Sequence, residues 1–193
     1  FFLLNLNSKG ILIKLTSTRI PDVKIIEPII FEDDRGFFYE SYNQKNLSDA
    51  IGLNINFVQD NHSKSQFGVL RGLHYQKKPY SQAKLIRVIS GEIFDVAIDV
   101  RENSKHYGEW VGEILSEENR KQLWIPEGFA HGFLTLSENA EVLYKTNNFY
   151  NKESEVSINP FDKYLDIHWP VIKQKVIMSE KDLLSINFKE LCE

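Results

Sequence analysis

Residues Leu85 to Val100 read LIRVISGEIFDVAIDV, and the architecture follows from that stretch. Two runs rich in β-branched residues flank Ser90-Gly91-Glu92, the pattern of two strands joined by a tight turn. From Ile93 onward the side chains alternate. Phe94, Val96, Ile98 and Val100 share one face, while Asp95, Ala97 and Asp99 share the other. Because the aspartates alternate with core-type residues, one or both are expected to be buried and paired; neither is assigned a functional role. Similar short runs occur at Val23–Ile30, Gly36–Ser41, Trp110–Leu115, Gln122–Ile125, Gly132–Leu136 and Val142–Asn147. Helical patterning is confined to Gln44–Ile51 and to SEKDLLSINFKEL, which opens on the capping residue Ser179. So many closely spaced strands imply a mainly β protein, a sandwich or barrel with a few short helices and a C-terminal helix.

Bulk composition narrows the function classes. The 193 residues suit one domain with a core that needs no disulfides. A net charge of −4 argues against non-specific nucleic-acid binding, which needs a concentrated basic field. The single cysteine, Cys192, rules out a disulfide framework and suits a reducing cytoplasm. FFLLNLNSKGILIKL opens the chain, but Asn, Lys and Gly interrupt it. It matches neither a signal peptide nor the roughly 20 apolar residues of a membrane span. Residues 1–14 are therefore expected to be an extension outside the fold, and 15–193 a single domain.

Two stretches carry candidate chemistry. In VLRGLHYQ (Val69–Gln76), an arginine and a histidine stand three residues apart with a glycine between them. This suits a fixed cation for an anionic ligand beside an imidazole that moves protons. In IPEGFAHGF (Ile125–Phe133), Pro126 and Gly128 form a turn at the lip of a strand, with His131 just after it. With the Gly91 turn, these resemble the two histidine-bearing motifs of the jelly-roll cupin superfamily. Metal-binding cupins carry a His-x-His pair and a glutamate in the first motif. Here that motif has His74 alone, and Lys84 stands downstream where a carboxylate ligand belongs. A lysine cation beside two imidazoles opposes a divalent ion, so no catalytic metal is expected. Two histidines with Arg71 and Lys84 instead fit an acid–base site for an anion or an enolate. Tyr144, on the face of its strand that carries Val142 and Thr146, is the candidate acid for the opposite side of a substrate; taken alone it reads as a core tyrosine.

The ordered set DDRGFF, QDNHS, VLRGLHYQ, KLIRVISGEIFDVAIDVR, WIPEGFAHGF, LYKTNNFY and SEKD resembles the dTDP-4-dehydrorhamnose 3,5-epimerase family, from about Ser17 to Asp182. The resemblance implies a cofactor-free epimerisation of dTDP-4-keto-6-deoxyglucose at C3 and C5. It implies His74 as base, Asp182 as its partner, Lys84 at the enolate oxygen and Tyr144 as acid. Arg71 and His131 would hold the substrate. Arg35, Glu40, Gln59, Asp60, Asn61, Glu155 and Lys181 match positions that contact the nucleotide or pyrophosphate. Some of those contacts come from a neighbouring subunit, so a homodimer is implied.

Several of these residues also have plain local explanations. Ser179-Glu180-Lys181-Asp182 has the spacing of an acidic capping box, with Asp182 in the first turn. Arg35 follows Asp33-Asp34 and could neutralise them, Glu155 and Lys181 sit in polar surroundings, and His131 could satisfy loop carbonyls.

Overall fold

The computed structural model describes residues 13–171 and 175–192. Among the described residues, eleven of thirteen strands form a two-sheet sandwich, accompanied by two short α-helices. The strands are β1 Ile13–Ser17, β2 Lys24–Pro28, β3 Phe31–Asp33, β4 Gly36–Phe38, β5 Gln59–Gln66, β6 Leu70–Gln76 and β7 Lys84–Ser90. They continue with β8 Glu92–Asp99, β9 Trp110–Ser116, β10 Gln122–Ile125, β11 Phe129–Thr135, β12 Asn139–Thr146 and β13 Glu155–Ser157. Helix α1 is Gln44–Ile51 and α2 is Glu180–Leu183. One sheet runs β1-β2-β10-β7-β12-β5, the other β13-β6-β11-β8-β9, and β3-β4 form a separate hairpin. The named strand pairs are all antiparallel, so this is a jelly roll of the cupin type.

The LIRVI and IFDVAID runs become β7 and β8, but they enter different sheets. The tight turn between them is therefore a corner of the sandwich. Gly91 sits there at φ +76, where an added Cβ would lie 2.1 Å from the Asn139 carbonyl oxygen. Between the sheets lies a core of Ile86, Val88, Ile93, Ala97, Leu115, Leu123, Ile125, Phe129, Phe133 and Val142, among others. The aspartate-bearing face of β8 is the one that looks into this interior. Its apolar face packs outward, beneath the C-terminal segment, with Val96 and Ile98 against Leu165, Trp169 and Phe188. Helix α1, capped by Asn43, covers the outside of the other sheet through Leu47.

Three differences from the sequence expectations have physical causes. Strand β1 begins at Ile13, so Ile13 and Lys14 pair with β2 rather than lying outside the fold; residues 1–12 of the expected extension fall outside the described residues. The C-terminal stretch is helical in two pieces, the four-residue α2 and a 3₁₀ segment at Phe188–Cys192. Between them Ile186 bridges to Ile158, which pulls the chain into extended form. Finally, β5, QDNHSKSQ, contains no apolar residue, so hydrophobic alternation could not reveal it. Its burial nonetheless alternates cleanly, with Gln59, Asn61, Ser63 and Ser65 facing inward.

Candidate active site

The open end of the sandwich holds a cleft with two lobes that share His74, Lys84 and Tyr144. The larger, about 490 Å³, is also lined by Ser63, Arg71, His131, Phe133, Lys181 and Asp182. The smaller, about 300 Å³, adds Gln59, Asn61, Gln76, Tyr150 and Glu155.

A bulge explains how β6 serves this cleft. Residues three apart in a regular strand face opposite ways, yet Arg71 and His74 line the same cavity. His131 pairs with His74 and Phe133 with Arg71, so β6 carries one more residue than β11 over that interval. Two glycines permit it. An added Cβ on Gly72, at φ +115, would lie 2.6 Å from the Gly132 Cα, and one on Gly132 would lie 2.6 Å from the Arg71 carbonyl oxygen.

His74 Nε2 lies 2.5 Å from Asp182 Oδ1. Asp182 is buried, and its backbone N–H also donates to the Ser179 hydroxyl at 3.2 Å. It therefore fills both roles that its sequence position allowed, helix capping and histidine partner. Burial alone would raise its carboxyl pKa. The His74 hydrogen bond and charge, with donors from Ser179 and Gly72, outweigh that and hold it below the usual carboxylate range.

Lys84 is buried and donates to the His74 carbonyl oxygen at 3.3 Å. Desolvation lowers its pKa to about 8, although Asp95 and Glu155 favour the ammonium. Tyr144 reaches the cleft from β12, between Asn61 of β5 and Ile86 of β7, on the face with Val142 and Thr146. Burial raises its pKa; nearby Arg71 lowers it and Glu155 raises it further. The Arg71 guanidinium is exposed at the cleft and donates from Nε to Ser65 Oγ at 3.0 Å. Lys181 bridges to Glu155 at 2.5 Å, and the Tyr150 hydroxyl donates to the same carboxylate at 2.8 Å.

His131 is not bound to loop carbonyls. Its Nε2 lies 2.6 Å from Asp95 Oδ1, and both side chains are buried. Burial lowers the histidine pKa and Lys84 and His74 add to this, with Asp95 opposing. Asp95 is the residue that sequence reasoning left without a role; its place among β-branched neighbours marked it as buried, but nothing marked its partner. Ser63 was also missed. Its hydroxyl and Asn61 Nδ2 are buried without a partner among the described residues, and both residues line the cleft.

Three expected contact residues lie elsewhere. Asp60 points to the outer face of β5 and pairs with Lys145 at 2.8 Å, because alternation places it opposite Gln59 and Asn61. Arg35 folds back on Asp33 in the exposed β3–β4 hairpin. Glu40 accepts from Asn43 and Asn46 at the start of α1. None of the three lines the cleft. Among the described residues no three His, Cys, Asp or Glu side chains converge as metal ligands.

A jelly-roll cleft with a carboxylate-bound histidine, a buried lysine and a facing phenol defines a cupin-type acid–base site. The family model described as dTDP-4-dehydrorhamnose 3,5-epimerase matches residues 17–190. A relative of that name from Shigella flexneri is 58% identical over 171 residues, covering 89% of this chain and 93% of the relative. Two crystal structures superpose closely. The dTDP-6-deoxy-D-glucose-3,5-epimerase of Legionella pneumophila Philadelphia 1, in complex with dTDP-4-keto-L-rhamnose, is 50% identical with TM-score 0.88, covering 92% of this chain and 93% of that one. The dTDP-4-dehydrorhamnose 3,5-epimerase of Elizabethkingia anophelis NUHP1 is 51% identical with TM-score 0.89, covering 93% and 98%. The chain belongs to the dTDP-4-dehydrorhamnose 3,5-epimerase family and is an isomerase.

Proposed function

We propose that this protein epimerises dTDP-4-keto-6-deoxy-D-glucose at C3 and C5, giving dTDP-4-keto-L-rhamnose for dTDP-L-rhamnose synthesis. The observation that carries the reading is the 2.5 Å His74–Asp182 pair in a cleft shared with Lys84 and Tyr144. With Asp182 on Nε2, the other ring nitrogen of His74, Nδ1, is the free base. It takes the proton from a carbon beside the C4 ketone, and Asp182 stabilises the imidazolium that forms. Charge moves onto the ketone oxygen, which the Lys84 ammonium neutralises in a site where burial strengthens the attraction. Tyr144 returns a proton from the opposite face, inverting the carbon; His74 then releases its proton to solvent and the Tyr144 phenolate takes one up, so the cycle can repeat at the second carbon. All the acid–base groups come from the chain, so the mechanism calls on no cofactor. Arg71 and His131 hold the substrate, while Gln59, Asn61 and Glu155 in the smaller lobe, with Lys181 reaching Glu155 from the larger one, contact the nucleotide and pyrophosphate.

Arg35 and Glu40 then act from a second copy of the chain. The β3–β4 hairpin that carries Arg35 exposes Phe37 and Phe38 at 58% and 69%, an apolar arm suited to a homodimer contact. The single cysteine suits a cytoplasmic enzyme. The reaction is tested by incubation with the keto sugar in D₂O, followed by NMR, with an NADPH-dependent reductase trapping product. Deuterium at both C3 and C5 is expected. Label at one carbon would make the protein a mono-epimerase, and dTDP binding without label would make it a sugar-nucleotide binder.

A further inference from the structure

The second histidine–carboxylate pair lies deeper than the first. Asp95 is 0% exposed, its Oδ1 is 2.6 Å from His131 Nε2, and its Oδ2 has no partner among the described residues. His131 lies directly opposite His74 in the β6–β11 ladder, and Asp95 is opposite Phe133 on β8, so the carboxylate sits one strand behind the cleft wall. We propose that Asp95 is a positioning residue for the epimerisation: it fixes His131 as the Nε2–H form, so that Nδ1 meets a sugar hydroxyl as an acceptor.

The tautomer follows from donor and acceptor roles. A carboxylate can only accept, so Nε2 must carry the proton, and a neutral ring then leaves Nδ1 with its lone pair. Burial, with Lys84 and His74 nearby, lowers the ring's pKa against the opposing pull of Asp95 and so favours the neutral form. The same carboxylate also bears on Lys84. Asp95 on β8 and Glu155 on β13 favour its ammonium. His74 and Tyr75 on β6, His131 on β11, Tyr144 on β12 and Tyr150 are the other titratable groups lining the cleft around it, with Arg71, Lys181 and Asp182. A buried pair that only stabilised the fold would have no effect on the ring tautomer offered to substrate or on the alkaline limb of the rate profile.

This inference rests on the epimerase reading, and the experiment separates the two. Wild-type enzyme and Asp95→Asn are compared for deuterium incorporation at C3 and C5 across pH 6–10, after thermal melting and dTDP binding have verified the fold. An uncharged amide removes one of the two charges that favour the Lys84 ammonium. The alkaline limb, expected near pH 8 in the wild type from Lys84, should move to lower pH. KM is expected to rise, and kcat/KM at pH 7 to fall about 10- to 100-fold, as when a ligating histidine loses its outer partner. A folded variant with wild-type KM and a superimposable pH profile would overturn the inference. In the wild type alone, ¹⁵N NMR of the five histidine rings, with His131→Gln to assign the signal, is expected to show Nε2–H and a bare Nδ1. An Nδ1–H ring, or an imidazolium at pH 7, would overturn it without recourse to the variant. No label from wild-type enzyme would sink the epimerase reading instead.

Discussion

Asp182→Asn separates the two functions that one residue performs. The cap uses the Asp182 backbone N–H, which donates to Ser179 Oγ and is unchanged by the substitution. The side-chain amide oxygen can still accept from His74 Nε2. Only the negative charge facing the imidazolium is lost. Two unit charges about 4 Å apart interact by about 4 kcal/mol at an effective dielectric near 20. The Asp182 side chain is 5% exposed and that of His74 27%, so solvent screens part of this, and the imidazolium is only partly formed at the transition state. A loss of about 2–4 kcal/mol remains, roughly 30- to 1,000-fold in rate. The assay is the initial rate of deuterium incorporation at C3 and C5 with saturating substrate, beside a melting curve and a dTDP binding isotherm. Melting and binding should stay close to wild type while both exchange rates fall together. A folded Asp182→Asn protein within about threefold of wild type would refute the idea that this carboxylate supports the base and leave it a helix cap.

Other substitutions test neighbouring parts of the argument. Turnover should fall as pH rises through about 8, because Lys84 then loses the proton that stabilises the enolate; a rate flat to pH 10 would contradict this. Lys84→Met should abolish exchange yet raise stability. The folded state holds this ammonium less readily than the unfolded chain, by as much as about 3 kcal/mol, and that penalty is present in full below pH 8. Urea unfolding at pH 7 and pH 10 checks the sign, since the penalty fades between pH 8 and 10.5 and the stability gap should narrow. Gly132→Ala forces a Cβ against the Arg71 carbonyl oxygen; it should cost about 1–3 kcal/mol in denaturant unfolding and loosen the register that sets His131 against His74. Ser179→Ala should cost about 1 kcal/mol by removing the α2 cap, with faster amide exchange in Glu180–Leu183.

The strands that build the core were legible because their periodicity is local. β7 and β8 bury β-branched residues at a period of two, and that signal needs no knowledge of the partner sheet. β5 was hidden for the opposite reason. Its inward residues Gln59, Asn61 and Ser63 face a polar cleft, so the alternation that marks a strand exists in its burial and not in its hydrophobicity. Among the site residues, His74, Lys84, Tyr144, Arg71 and His131 were named from the order of the motifs, and the fold brings them into one cavity. Asp60 was named with them, but a strand turns consecutive side chains to opposite faces, and it went outward to Lys145.

Chain order thus determined the core strands, the core-forming residues and the membership of the acid–base set, since each depends on residue type at short spacing. Pairings across long separations belong to the tertiary structure. Asp182 reaches His74 from 108 residues away and Asp95 reaches His131 across 36, through strands that become neighbours only when the two sheets close. The spacing of Arg71 and His74, opposed in any regular strand, becomes a shared face only because β6 bulges against Gly132. A linear pattern cannot report a bulge whose cause is the backbone of another strand.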